Sequence, residues 1–272
     1  MVQFKYEVAV IGCGKMGESI LRSLLAGKSV KSDNIMVCEP YEPRREFIES
    51  QYKVNVTAVG REAMLNSRLI ILAVKPNIVA AVASEVAGCL QKEQVILSIV
   101  AGFSLSRLSE LFGHKQIVRA MPNLAAQIAQ AATVWSANKE LSAQQLEQAR
   151  SILQAIGEEI YVDSERLIDV GTAISGSGPA YQYLFLEALT DAGVRLGLTR
   201  AQAERLAVGM ARGSVNLAWE TGKSLNELRY MVTTPGGTTA EAVYTLEKEN
   251  FRVALIDAAQ ACYNKSQELG RC

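Results

Sequence analysis

Histidine is almost absent. His114 is the one imidazole in 272 residues, and it lies in the loop-like stretch FGHKQ with no nucleophile or second ligand nearby. It is expected at the surface, and histidine-based acid–base chemistry finds no support. Charge of one sign is also missing, since 28 Lys and Arg balance 28 Asp and Glu. A nucleic-acid partner would require a basic excess, so none is expected. Long apolar runs are lacking too. The longest, Leu69 to Val74, falls far short of the ~20 residues of a helical span, so no membrane segment is expected. The N-terminus, MVQFKYEVAV, has no basic segment followed by a long apolar stretch, and no secretory leader is expected. Cysteines are few and unpatterned: Cys13, Cys38, Cys89, Cys262 and Cys272 form no C-x-x-C pair, and their number is odd. These features lead to the expectation of a reduced, cytoplasmic protein without zinc, another bound metal or disulfides.

What is present is ordinary core-forming material, 49% hydrophobic and 21% charged, enough for one large domain or two. Short apolar strands are predicted at Glu7–Ile11, Ile35–Cys38, Val54–Val56, Leu69–Val74, Val95–Val100, Ile117–Ala120, Ala132–Ser136 and Glu159–Val162. Helical patterns fill the gaps, notably Met16–Ala26, Pro43–Gln51, Asn77–Leu90 and Ser142–Ile156. Continuous apolar strands alternating with helices imply a parallel sheet covered on both faces. After Asp163 no strand is predicted. Glu165–Leu196, Arg200–Thr221, Ser224–Val232, Thr238–Glu249 and Phe251–Leu269 all carry helical periodicity. The expected division is 1–163 and 164–272.

The stretch VAVIGCGKMGES places Gly12, Gly14 and Gly17 between the first strand and the first helix, in G-x-G-x-x-G spacing. In that setting Gly12 permits a tight turn, Gly14 lets a diphosphate approach the backbone, and Gly17 lets the helix pack on the strand. The helix N-terminus offers N–H groups and a partial positive charge to the phosphates. Glu39 ends the second strand, 22 residues beyond Gly17. An acid there hydrogen-bonds a free ribose 2′-hydroxyl and repels a 2′-phosphate. Arg44 and Arg45 lie close enough in sequence to oppose that, so the lean is toward NADH with NADPH still open. The N-terminal region is therefore expected to be a doubly wound, mainly parallel α/β domain of Rossmann type, and the C-terminal region all-α.

Two further strand ends, Ala73-Val74-Lys75-Pro76 and SIVAGFS with Gly102, fall at the edge where open α/β sheets bind ligands. In the helical region, MVTTPGGTTAEAV turns at Pro235-Gly236-Gly237. Thr238 lies three residues before Glu241, the spacing of a capping box. The adjacent glycines leave N–H groups free for an anion such as a carboxylate. A capped helix after a glycine turn is the plainer reading of the same residues. AISGSGPAYQYLFLEAL concentrates small residues at 175–178 before Pro179, suiting close approach of a ligand or of another helix.

Taken together, IGCGKMG, AVKP (73–76), VRAMPN (118–123), SGSGPAY (175–181) and TPGGTT (234–239) resemble the pyrroline-5-carboxylate reductase family, in the family's order and along essentially the whole chain. The resemblance implies reduction of 1-pyrroline-5-carboxylate to L-proline with NADPH or NADH. It also implies a helical domain that pairs two subunits, so that each pocket borrows residues from both, often within a pentamer of dimers. By position, Ile11, Gly12, Cys13, Gly14, Lys15, Met16 and Gly17 would line the diphosphate and Glu39 the ribose. Ala73, Val74, Lys75, Pro76, Val100, Ala101, Gly102, Met121 and Asn123 would flank the cofactor further along. Glu165, Ser177, Thr234, Gly236, Gly237, Thr238 and Thr239 would meet the substrate, with Thr239 the catalytic donor to the ring nitrogen. Departures are Leu124-Ala125 after the MPN motif, Thr234 for a serine, Gly60 for an asparagine that touches cofactor in some relatives, and Met231 for a polar residue.

That chemistry accounts for the missing histidine. A protonated cyclic imine is already electrophilic, so the protein must mainly hold the C=N carbon close to the nicotinamide. Two alternatives exist. A β-hydroxyacid dehydrogenase would carry a catalytic lysine on the first long helix of the second domain, and Ala180–Leu196 has none. A non-catalytic NAD(P) sensor would have lost TPGGTT, which is intact.

Overall fold

A computed structural model describes residues 3–27 and 29–271; Cys272 lies outside them. Eight strands form one sheet: β1 (Tyr6–Ile11), β2 (Ile35–Cys38), β3 (Asn55–Thr57), β4 (Ser67–Leu72), β5 (Val95–Ser98), β6 (Ile117–Met121), β7 (Ala131–Ala137) and β8 (Gly157–Tyr161). Their order is β3-β2-β1-β4-β5-β6-β7-β8. Each strand lies where the apolar runs predict one, with ends shifted by a few residues.

The reason the runs are unbroken is visible in β1. Val8 and Val10 enter the core on one face of the sheet, and Ala9 and Ile11 the core on the other. Helices α1 (Lys15–Ala26), α2 (Glu42–Tyr52), α3 (Gly60–Leu65), α4 (Val79–Val86), α5 (Leu105–Phe112) and α6 (Ala143–Ala155) connect the strands. Ile20, Leu21 and Leu24 of α1 cover one face, and Val82, Val86, Leu108 and Phe112 cover the other.

The sheet departs from all-parallel at one place, where β7 runs antiparallel to β6. Only residues 122–130 connect them, with a 3₁₀ turn at Leu124–Ile128. A parallel return needs about a dozen residues or more. Other expectations change as well. The predicted Asn77–Leu90 helix is a 3₁₀ turn, Pro76–Ile78, followed by the shorter α4. The predicted Glu165–Leu196 helix is broken into α7 (Arg166–Gly171), a π-helical turn at Thr172–Gly176, and α8 (Gly178–Arg195). Pro179 lacks the N–H that a continuous helix would direct at the Ser175 carbonyl, and the Ser175 hydroxyl donates to the Ala132 carbonyl at 2.5 Å.

His114 corrects the surface expectation. It is buried, with Nε2 donating to the Gln94 carbonyl at 2.9 Å. It follows the α5 end at Gly113, just before β6 begins at Ile117.

The described residues form two compact units. One runs to Ser177 and includes the chain from Cys262 onward; the other is Gly178–Ala261. Strands give way to helices near residue 163, but α7 stays with the sheet unit. Ile168 is fully buried, and a side chain at Gly171 would collide with Val134. The second unit holds α8, α9 (Arg200–Thr221), α10 (Leu225–Met231), α11 (Thr238–Lys248) and the first half of α12 (Phe251–Arg271). Thr199 and Gln202 form a capping box at the start of α9. Among its described residues only Thr190, Ala203 and Ala207 are buried, while Leu184, Leu206, Val215, Trp219, Tyr230 and Ile256 are exposed.

Candidate active site

In the sheet unit the glycines build a cradle at the C-terminal ends of β1, β2 and β4. Gly12 has φ +85°, and its N–H donates to the Cys38 carbonyl at 2.9 Å. A Cβ there would stand 2.8 Å from Val74 Cγ1 and 3.0 Å from the Ala73 carbonyl oxygen. A Cβ at Gly17 would strike the Gly12 carbonyl oxygen, so Gly17 is needed for α1 to lie against β1. Gly14 differs. It caps α1 with no side-chain hydrogen bond, and nothing lies within 4 Å of its missing Cβ. A side chain at 14 would fill open space in front of the helix N-terminus, whose N–H groups and dipole favour an anion. The crevice measures about 370 Å³ and brings together Ile11, Gly12, Gly14, Glu39, Ala73, Val74 and Lys75. These residues fit a dinucleotide diphosphate.

The neighbouring side chains stiffen this cradle. Glu39 Oε2 accepts the Cys13 N–H at 3.2 Å and Oε1 the Tyr41 N–H at 3.1 Å. Arg44 Nε donates to the Cys13 carbonyl at 3.0 Å, and its Nη2 meets Glu18 Oε2 at 2.5 Å. The Tyr52 hydroxyl donates to Glu18 Oε1 at 2.6 Å. Cys13 thus serves the cradle through its backbone. Its thiol is fully buried, and burial pushes its pKa up to about 12 against the pull of Arg44.

Other expected cofactor residues fall elsewhere in the same unit. Lys15 borders a separate groove with Glu18, Arg22 and Gln127. Met16 packs on the core, Pro76 opens its 3₁₀ turn, and Val100 is buried among apolar side chains, while Ala101 is exposed. The close approach at Gly102 is made by α12, since a Cβ there would lie 3.2 Å from the Leu269 carbonyl oxygen. Met121 lies beside Gly176, 3.6 Å from where a Cβ would stand. Asn123 accepts the Ala125 N–H at 3.2 Å and donates to the Ser175 hydroxyl at 3.3 Å. The Ser177 hydroxyl meets the Cys262 thiol at 3.1 Å.

Glu165 is engaged within the sheet unit. Its Oε1 accepts the Leu105 N–H of α5 at 2.7 Å and the Arg119 guanidinium at 2.8 Å. Arg119 also reaches Asp169 at 3.1 Å, and Asp169 accepts the Ser266 hydroxyl at 3.1 Å. Sequence reasoning missed this cluster. The available signal was an arginine inside the otherwise apolar strand IVRAM, since a buried cation demands a partner.

In the helical unit, Gly236 has φ +70° and the Gly237 N–H closes a turn on the Thr234 carbonyl at 3.0 Å. A side chain at 237 would overlap Thr234 Oγ1. The expected Thr238–Glu241 capping box does not form. Gly237 is the cap residue, Thr238 and Thr239 are the first two residues of α11, and no side chain caps them. The turn starts the helix one residue earlier than the spacing predicts. The first-turn N–H groups are left without a side-chain cap, which suits an external anion.

A glycine cradle at the carboxyl edge of a doubly wound sheet, followed by a helical unit with an uncapped glycine turn, defines a nicotinamide-dinucleotide oxidoreductase. Residues 165–269 match the pyrroline-5-carboxylate reductase dimerisation model, and residues 7–102 the model for NADP oxidoreductase, coenzyme F420-dependent. The chain is 42% identical to pyrroline-5-carboxylate reductase of Synechocystis sp., over 97% of this chain and 98% of the relative. Against the Escherichia coli enzyme of that name it is 36% identical, over 97% and 98%. A solved pyrroline-5-carboxylate reductase from Coxiella burnetii superposes with TM-score 0.92 at 35% identity, covering 97% of this chain and 98% of that one. A Plasmodium falciparum pyrroline carboxylate reductase solved with NADP bound gives 0.87 at 28%, covering 99% and 100%. The chain belongs to the pyrroline-5-carboxylate reductase family.

Proposed function

We propose that this chain reduces 1-pyrroline-5-carboxylate to L-proline with NAD(P)H, the last step of proline biosynthesis. The observation that carries this is the extent of the likeness: it runs through 97% of the chain, so both the glycine cradle and the 234–239 loop fall inside it. A reduced nicotinamide supplies the two electrons and the hydrogen that saturate the C=N bond. The chain's own residues bind and orient. Gly12 and Gly14 with the α1 N-terminus receive the diphosphate. Thr234, Gly236, Gly237 and Thr238, at the uncapped start of α11, receive the substrate carboxylate. The Thr239 hydroxyl orients the ring nitrogen, which arrives already protonated, so no acid residue has to supply that proton.

In this reading residues 1–163 serve the cofactor and 164–272 serve substrate and pairing. Glu165 acts through Arg119 and α5, and Ser177 borders the substrate segment. The exposed apolar faces of the helical unit support a homodimer formed through the C-terminal helices, with a pentamer of dimers as the higher assembly. Among the described residues the free thiols Cys13, Cys38, Cys89 and Cys262 suit a reducing cytoplasm. No described helix is long and apolar enough to cross a membrane.

The test is loss of reduced-nicotinamide absorbance on adding 1-pyrroline-5-carboxylate. No turnover with either cofactor would overturn the reading. Thr239→Ala should lower kcat at least ~100-fold, the scale of a lost orienting donor, while cofactor affinity stays within about twofold. Equal loss of both would remove Thr239 from the substrate.

A further inference from the structure

The crevice in the sheet unit carries an uneven charge at the end that follows β2. Glu39 is anchored there by the Cys13 and Tyr41 N–H groups. A second carboxylate, Glu85 of α4, lines the same crevice. Glu85 Oε2 accepts the Arg61 N–H at 2.9 Å and occupies the space over Gly60, where a Cβ would be 2.8 Å from that oxygen. Gly60, which departs from an asparagine of some relatives, is therefore what admits the Glu85 carboxylate.

The nearby arginines are held by neighbouring carbonyls and carboxylates. Arg44 is held by the Cys13 carbonyl and Glu18. Arg45 donates to the Glu39 and Pro40 carbonyls at 3.0 and 3.2 Å. Arg61 donates to the Glu85 carbonyl at 2.5 Å and to the Cys89 sulfur at 3.6 Å. Among the described lining residues Lys75 is the one cation, against two carboxylates. The field of both acids reaches the crevice wall. Burial, then Glu85 and Glu39, push the Cys38 thiol up to about 11 against the pull of Arg45.

We propose that Glu39 and Glu85 together select NADH over NADPH: Glu39 accepts the free 2′-hydroxyl of the adenosine ribose, and the two carboxylates lining the crevice repel a 2′-phosphate. Of the candidates for holding that phosphate, Arg44 braces the fingerprint loop and Arg45 braces the turn after β2. The proposal rests on the dinucleotide reading of the cradle, and the test separates the two. Calorimetric titration of the full-length protein without substrate should give a Kd for NADH about tenfold below that for NADPH, or ~1.4 kcal/mol. Glu39→Gln should close that gap by about threefold, and Glu85→Gln should close it further, each being one partly solvated charge. Arg44→Ala should weaken both dinucleotides by the same factor. NADPH binding as tightly as NADH, a gap unmoved in Glu39→Gln, or an Arg44→Ala loss confined to NADPH would each overturn the preference. Protein that binds neither dinucleotide would overturn the oxidoreductase reading and the preference with it.

Discussion

Gly12 and Gly14 are two residues apart and answer to different forces. Gly12 is held at positive φ with Val74 and the Ala73 carbonyl against it. Gly12→Ala should therefore lower stability by about 1–3 kcal/mol, read by urea denaturation. Gly14 has open space where its Cβ would be. Gly14→Ala should leave stability within about 0.5 kcal/mol but abolish dinucleotide binding. Similar stability losses in both variants would show that Gly14 serves packing instead. The spacing of the glycines was legible in the sequence. Their division of roles was legible too; that Val74 and the Ala73 carbonyl are what press on Gly12 was not, because they come from far along the chain. His114 shows the same limit. Lys115 and Gln116 after it are polar, and its burial comes from packing where β5 and β6 begin, with Nε2 on the Gln94 carbonyl. Burial lowers its pKa, only partly offset by the bond to the Gln94 carbonyl. A lowered value means that protonation disfavours the fold. Stability is intact above the ordinary value of 6.5 and is lost as pH falls through the lowered one. Glu18 acts in the same direction at more acid pH. Burial alone would raise it, but hydrogen bonds from Tyr52 and Arg44 hold it below its usual 4.5. Melting temperature should fall as pH drops below 6.5, and His114→Gln should flatten the upper end of that slope. An unchanged slope would remove His114 as its source.

At the scale of elements, the central strands were legible because they are buried on both faces and so are apolar at nearly every position, whereas β3 and β8 at the two margins are only partly covered. The break between α7 and α8 was hidden, because helical periodicity continues through residues 172–177 while the Ser177 N–H bonds the Thr172 carbonyl five residues back and Pro179 has no N–H to give. Arg119 joins elements that periodicity could not connect. From β6 it holds Glu165, which accepts the first N–H of α5, and Asp169, which receives Ser266 of α12. Its side chain is 7% exposed. Removing it leaves two carboxylates facing each other with no counter-charge. Arg119→Met should cost about 3 kcal/mol in chemical denaturation. Asp169→Asn, which keeps a hydrogen-bonding oxygen, should cost less. A cost for Arg119→Met below about 1 kcal/mol, the scale of a surface pair, would show that the cluster is not a clasp.

At the scale of the whole molecule, a single chain leaves the helical unit unfinished. Val208, Val215 and Trp219 recur at spacings of seven and four along α9, and all are exposed. Such a stripe normally faces a core. The family's dimerisation model covers this region, and the chain is expected to self-associate through it. Val215→Arg with Trp219→Arg should shift the species seen by sedimentation velocity toward monomer and lower the melting temperature. An unshifted distribution would place the contact on another face.

By itself the sequence determined the eight strands, the glycine fingerprint and the glycine turn before α11, because each is a local pattern imposed by burial or by backbone geometry. It also carried the family likeness. Only the tertiary structure decided that β7 reverses, that His114 is buried, that Glu165 belongs to Arg119, and that Glu85 lines the crevice with Glu39. Each of these depends on how the chain folds back on groups or elements that the local pattern does not register. The burial of His114 against the Gln94 carbonyl and of Arg119 against Glu165 satisfies buried polar groups where elements meet, and no local period records that.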